Sequence, residues 1–283
     1  MKYGITGASG TLGRLTADAL LARVDASDVV LVTRAPGKLA SYAQRGADVR
    51  AGDFGDPASL DFSGVDRLLI ISTDTVGTRV EAQTAAIDAA VAAGVGRIAY
   101  TSVTNPSDSN PAFVVPDHRA TELHLFASGA HWTILRNAIY TEMYLGSAPG
   151  AIARGTLVTN AGDGRAVNVS RRDCADAAAA VLVDDAHEDK VYDITGEEAF
   201  DAEGLAALFS ELSGKPVAVR RLDDDAWVAA MSAVMPEAAA RAYATLGRAQ
   251  RLGYQGFSST AVRDITGHAP RSLREVLAPA LAA

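Results

Sequence analysis

The sequence predicts an α/β fold, a doubly wound parallel sheet carrying a smaller, mainly helical C-terminal lobe. Three observations predict it. A glycine-rich turn, Ile5-Thr6-Gly7-Ala8-Ser9-Gly10-Thr11-Leu12-Gly13, joins a short apolar start to a helical run. Short apolar strands then alternate with helical or connecting segments, which calls for right-handed crossovers and a parallel sheet. Finally, 283 residues, 48% of them apolar, are long for one domain and supply an ample core.

The first unit runs from the strand Tyr3-Gly4-Ile5 into a helix from Thr11 to about Arg23, with Leu12, Leu15 and Ala19 on one face. Strand, glycine turn and helix in this order begin a Rossmann-type, dinucleotide-binding βαβ unit. Gly7 allows the sharp turn, Gly10 admits a pyrophosphate close to the backbone, and Gly13 lets the helix sit on the sheet. Ser9, Thr11 and Leu12 complete the cradle, whose free helical N–H groups and dipole favour phosphate. The G-x-x-G-x-x-G spacing is the variant of short-chain dehydrogenase-type folds.

Asp28 to Thr33 reads as a buried strand. At its end an NAD-dependent protein usually carries a carboxylate for the ribose 2′-hydroxyl. Here stand Arg34 and, shortly after, Lys38. A guanidinium pairs with a 2′-phosphate and stacks on adenine, so NADP(H) is expected over NAD(H). The structural alternative for Arg34 is a solvated charge at a strand end.

Ala47 to Arg50 is a third strand, followed by Asp53 as a candidate acceptor for the adenine amino group and Phe54 packing beside it. An ordinary Asx turn is the alternative for Asp53. Arg67 to Ile71 is a fourth strand ending in Ser72 and Thr73, small enough to leave space for the nicotinamide ribose. Val80, Thr84, Ile87 and Val91 mark a helix closing at Gly94, and Arg97 to Thr101 a fifth strand. The polar loop Ser102 to Pro111 leaves the strand end where open α/β sheets place ligands. A helix from Asp117 to about Ser128 and the strand Trp132 to Arg136 follow.

From Asn137 the pattern becomes irregular and aromatic, with Tyr140, Met143 and Tyr144. These residues either line a substrate pocket or pack a lobe junction. Extended pieces flank a turn at Asn160 to Gly164, and Ser170 to Asp173 resembles a capping box opening an alanine-rich helix. Val191 to Ile194 is a further core strand, and the chain from Phe200 onward is mainly helical. The expected division is residues 1–135 and 176–195 for the dinucleotide-binding domain, with 136–175 and 196–283 for the substrate lobe.

The net charge of −8 disfavours a nucleic-acid partner. No apolar run approaches a membrane span, the chain leaves no room for a signal peptide before its first strand, and a cytoplasmic location is expected. The one cysteine, Cys174, excludes an internal disulfide and reads as core filling. Asp223-Asp224-Asp225 reads as a turn and N-cap, so no metal site is expected.

The glycine turn, Thr33-Arg34, Gly52-Asp53-Phe54, Ala99-Tyr100-Thr101-Ser102 and Thr121-Glu122 resemble the NmrA-like, atypical short-chain dehydrogenases. So do Leu135-Arg136-Asn137-Ala138-Ile139-Tyr140, Ser147-Ala148-Pro149, Ala161-Gly162-Asp163-Gly164 and Thr195-Gly196. Within that family the chain is most similar to the bacterial NAD(P)H:quinone oxidoreductase (type 2) group. Typical short-chain dehydrogenases use a Tyr-x-x-x-Lys pair, and the resemblance puts Val114 and His118 at those positions. It therefore implies hydride transfer to a quinone or similar small acceptor, whose anion needs no enzymic acid. Ser102 is implied as a hydrogen bonder in the cofactor site, and His118, Asn137 and Tyr140 are the catalytic candidates. His118 either contacts nicotinamide ribose or the reduced oxygen, or is a half-exposed residue near a helix start. The alternative function is a non-catalytic NADP(H)-binding redox sensor; a homodimer is compatible with either.

Overall fold

A computed structural model describes residues 1–75 and 77–282; Ala283, which ends the expected lobe, lies outside them. The first strands and helices are β1 (Tyr3–Ile5), α1 (Thr11–Leu21), β2 (Val29–Thr33), α2 (Ala40–Gln44), β3 (Asp48–Ala51) and β4 (Arg67–Ile70). Then come α3 (Arg79–Ala92), β5 (Arg97–Val103), α4 (Val115–Ala127) and β6 (His131–Asn137). After α5 (Met143–Arg154), β7 (Thr156–Thr159) and β8 (Ala166–Val167), the chain returns to the large sheet through α6 (Arg171–Val183) and β9 (Lys190–Ile194). It closes with β10 (Ala199–Phe200), α7 (Ala202–Ser213), β11 (Ala218–Arg221), α8 (Asp224–Met231), α9 (Glu237–Arg251), α10 (Ala261–Thr266) and α11 (Leu273–Leu281).

Seven parallel strands form one sheet in the order β3-β2-β1-β4-β5-β6-β9. The order reverses at β1 and β4, which opens a crevice at their carboxyl ends. Both faces are covered. On one, Leu12, Ala17 and Leu20 of α1 meet Ala175, Ala178 and Leu182 of α6, with Ala261 and Val262 of α10 joining the same core. On the other, Ala86, Ile87 and Ala90 of α3 and Leu125 of α4 pack on Val30, Leu68, Ile98 and Ile134. A strand buried on both faces is continuously apolar, which is why β2 and β4 were legible as unbroken runs.

Two arginines tie the end of the sheet opposite the crevice. Arg67 and Arg97 open β4 and β5, both buried, and donate to the carbonyls of Leu182 (2.9 Å from Arg67, 3.0 Å from Arg97). Arg97 also reaches Val181 (2.7 Å) and Asp184 (2.8 Å). α6 has no basic residue in its own last turn, so these guanidinium groups satisfy its orphan carbonyls and its dipole from across the fold.

The lobe holds two short two-stranded sheets, β7 with β11 in parallel and β8 with β10 antiparallel. Its core joins Ala148 and Ala151 of α5 to Leu205 and Phe209 of α7 and Leu277 of α11. Three expectations change here. The irregular stretch from Asn137 ends by residue 142, and Met143–Arg154 is a helix. Pro149, Gly146 and Gly150 argue against a helix by propensity, and burial against α7 and α11 overrides them. Second, Ser170 caps α6 by accepting from the Asp173 amide (2.9 Å), but the return arm of a capping box is missing. The Asp173 carboxylate instead accepts from the amide of Arg271 (2.9 Å) and from its guanidinium. The full capping box is at Ser272 and Glu275, opening α11. Third, α4 begins at Val115 rather than Asp117, with a proline in its first turn.

Candidate functional site

The carboxyl ends of β1, β2, β4, β5 and β6 gather the expected site residues along one rim. Gly7 sits at φ +60°, and its carbonyl receives the Gly10 amide at 2.9 Å, closing the turn. A Cβ on Gly13 would lie 2.3 Å from the Gly7 oxygen and 2.7 Å from the Ala8 Cα, so only glycine brings α1 this near the turn. Gly10 is the extended N-cap of α1 and offers no side-chain acceptor, and no acidic residue occupies the first turn. The leading amides of α1 and the positive end of its dipole are left for an anion.

Beside this turn is a basic corner. Ser9 and Thr33 share a hydroxyl hydrogen bond of 2.7 Å, and the Ala35 amide donates to Thr33 at 3.2 Å. Arg34 and Lys38 are exposed at the end of β2. Arg14, which the sequence reading passed over, donates to the carbonyls of Ser9 (3.1 Å) and Lys38 (2.8 Å) and stiffens the corner. Among the described residues none of these three cations lies within 4.0 Å of a carboxylate. Asp53 spends one carboxylate oxygen on an Asx turn to the Gly55 amide (3.0 Å), the alternative weighed for it. Phe54 is half-buried against the core on the α3/α4 face of the sheet.

Further along the rim, backbone amides are pinned by hydroxyls and one carboxamide. The Ile71 amide donates to Thr6 (3.1 Å), that of Ser72 to Thr101 (2.9 Å) and that of Thr73 to Gln83 Oε1 (2.9 Å). Ser102 is buried and donates to Glu122 at 2.6 Å, as a hydrogen bonder. Glu122, buried, takes a two-pronged contact from Arg136 (2.9 and 2.6 Å), which holds the arginine's proton even more firmly than usual. Glu122 and Arg136 stand in the blocks that carry the family resemblance, but their pairing requires α4 and β6 to be side by side.

His118 differs from the half-exposed reading. It is buried rather than half-exposed, and both ring nitrogens are engaged by protein. Nδ1 lies 2.9 Å from the Tyr100 hydroxyl and Nε2 lies 3.3 Å from Arg79. Burial, aided by the Arg79 charge, pushes its pKa down to about 3, so the ring is neutral near pH 7. Its one N–H and its one lone pair both face protein groups, Tyr100 and Arg79. Burial likewise raises the Tyr100 hydroxyl.

Asn137 is buried at the end of β6 and donates to the Tyr140 hydroxyl at 3.2 Å. Its Oδ1 is buried with no protein partner among the described residues. Tyr140 is half-buried with the Arg171 guanidinium 4.6 Å from its ring centre, and burial raises its pKa. Tyr144 falls on the packing side: it meets Phe209 edge-on and donates to Asn168 at 3.3 Å, and burial pushes its pKa up to about 12. Val114 is half-buried against the small apolar cluster of Ala112, Val115 and Ala249. Cys174 is buried, its thiol pushed well above the usual range by that burial, as expected of core filling. Asp223 caps α8 through the Ala226 amide at 2.8 Å.

Comparison with known proteins agrees with this geometry. Residues 7–185 match the sequence profile of the NAD(P)H-binding family. The chain is 38% identical to quinone oxidoreductase 2 of Escherichia coli over 96% of both sequences. It superposes with TM-score 0.94 on an NADPH-dependent quinone oxidoreductase from that organism complexed with NADPH (37% identity, 98% of this chain, 99% of the other). A Citrobacter sp. triphenylmethane reductase complexed with NADP(H) gives 0.93 (32% identity, 99% of this chain, 100% of the other).

Proposed function

Because the chain belongs to the NAD(P)H-binding family, we propose that it is an NADPH-dependent oxidoreductase passing hydride directly to a quinone or similar small acceptor. The observation that carries the reading is the uncapped N-terminus of α1 beside Arg14, Arg34 and Lys38, a corner with three cations and no paired carboxylate. These residues fit NADP(H): the turn cradles a pyrophosphate, and the cations take the 2′-phosphate that an acidic residue would repel. The relatives named for the reduction of quinones and of triphenylmethane dyes support a conjugated, electron-poor acceptor.

When bound, the cofactor supplies one hydride, two electrons with one proton, and leaves oxidised. The chain's own residues bind, orient and exclude water. Ser72, Thr73 and Ser102 would border the nicotinamide end, and Asn137 Oδ1, facing no protein donor, would accept from the carboxamide or the acceptor. No acid is arranged at the expected position. Val114 cannot transfer a proton, His118 is locked neutral, and Tyr140 is raised by burial. The reduced quinone, an anion stabilised by aromaticity, would take its second proton from water, so positioning accounts for the rate.

The same lack of an acid favours a second reading, a redox sensor that binds NADP(H) without turnover. Mixing the protein with NADPH or NADH and a simple benzoquinone, and following loss of reduced-nicotinamide absorbance above the protein-free rate, separates the two. Saturable turnover, faster with NADPH, is expected; tight NADPH binding without turnover would favour the sensor. No helix among the described residues is long and apolar enough to cross a membrane. We place the protein in the cytoplasm, where its free buried thiol stays reduced, and take a homodimer as its working assembly, which sedimentation would check.

A further inference from the structure

Between α3 and α4, under the end of β4, lies a buried polar string that the reaction outlined above does not use. Its members are Arg79, Gln83, Tyr100, His118 and Thr121, all buried. The direction of every bond can be worked out. Arg79 can only donate, so His118 Nε2 must accept and the imidazole proton is on Nδ1, donated to Tyr100. Gln83 Oε1 faces the Thr73 amide, which can only donate, so its Nε2 hydrogens go to Tyr100 (3.1 Å) and Thr121 (2.8 Å). Thr121 passes its own proton to the Asp117 carbonyl at 2.9 Å. A flip of the carboxamide is disfavoured, because it would set a donor against the Thr73 amide and an acceptor against Thr121, whose proton already goes to Asp117.

We infer that Gln83 is a positioning residue for the reaction, fixing the Thr73 amide and with it the rim on which the nicotinamide end of the cofactor rests. The inference rests on the functional reading above for what occupies that rim. The string itself stands on geometry. Thr73 lies beyond the last residue of β4, and its amide has no strand neighbour to bond to. The bond to Gln83 replaces the missing ladder and runs to a residue on α3 that is itself held by β5 and α4. One carboxamide therefore sets the spacing between the rim and two helices. A buried, fully directed network of this kind is rigid, and losing one member leaves several groups unpaired.

The test uses Gln83→Met in the full chain, which keeps the volume and removes both arms. Three quantities are measured: the affinity of adenosine 2′,5′-bisphosphate, which lacks the nicotinamide half; the affinity of NADPH; and kcat and KM with a benzoquinone. The fragment should bind within about twofold of the parent protein, while NADPH weakens and kcat falls by about tenfold or more, as expected when a reacting group is misplaced. Gln83→Glu, held protonated by burial, keeps an oxygen for the Thr73 amide and one O–H for Thr121, and should recover part of the loss. Parallel weakening of fragment and NADPH, or a kcat within about twofold of the parent, would overturn the inference. Should Gln83→Met not fold, Gln83→Asn, too short to span the gap, takes its place with the same expected split. If the parent protein binds NADPH but turns nothing over, the functional reading fails, and the ratio of NADPH to fragment affinity still decides the role of Gln83.

Discussion

Arg34 was legible because a strand end in this fold is a known address, whereas Arg14 was not. Arg14 follows the third glycine directly in sequence, yet its place at the basic corner depends on the Lys38 carbonyl, brought to it by the turn after β2. Arg34→Asp should weaken NADPH by about tenfold or more and leave NADH nearly unchanged, since a carboxylate repels the 2′-phosphate and accepts from a 2′-hydroxyl. Equal losses in a titration of both cofactors would remove Arg34 from the site. His118 makes a pH prediction of the opposite kind. Its folded pKa of about 3 lies below the ordinary 6.5, so it favours the folded state fully above pH 6.5. That contribution is lost progressively as pH falls towards 3, because the unfolded chain binds the proton first. Denaturant midpoints measured across this window should decline, and in His118→Gln the decline should be shallower by one proton. By the same logic, turnover should show no inflection near pH 6.5 from this residue.

The helices divide between those that sequence periodicity reveals and those that tertiary contact creates. α1 and α6 carry apolar faces and are readable; α5 contains Pro149 and two glycines and exists because α7 and α11 cover it. The Asn160 to Gly164 motif was visible as a turn, but its purpose was not, since its partner is α9, far along the chain. Asn160, buried, donates to Asp224 and to the Ala244 carbonyl, each at 2.8 Å. Gln250 donates to the Gly164 carbonyl at 3.0 Å, and Arg251 reaches both Asp224 and the Asn160 carbonyl. A Cβ on Gly247 would stand 1.9 Å from Asn160 Oδ1. Gly247→Ala should therefore lift α9 off this turn, costing about 2 kcal/mol in chemical unfolding and opening the segment between α8 and α10 to limited proteolysis. At the amino-terminal end of β5, Arg97→Ala removes three charge-assisted bonds to the end of α6 and should destabilise the fold by about 3 kcal/mol. A change under about 0.5 kcal/mol would mean that water caps those carbonyls equally well.

For the molecule as a whole, the order of the strands and its reversal between β1 and β4 emerge only in three dimensions, whereas the parallel sheet was legible because strands alternating with helices call for right-handed crossovers. The lobe was not, because its strands pair across long intervals: β7 with β11 and β8 with β10. If NADP+ binds the folded chain as proposed, it should raise the melting temperature. At a hundredfold excess over its Kd the linkage is about 2.7 kcal/mol, and NAD+ at the same concentration should give less. Equal shifts for both would speak against the basic corner. The docking of α10 also bears on how the chain is made. Ala261 and Val262 complete a core begun by residues of the first helix, so a ribosome must translate nearly the whole message before that core can close. Until then the nascent chain leaves the apolar flank of α6 open to solvent, where chaperones would recognise it. Chains stalled before residue 261 should stay chaperone-bound, and those stalled with α10 fully emerged should be released.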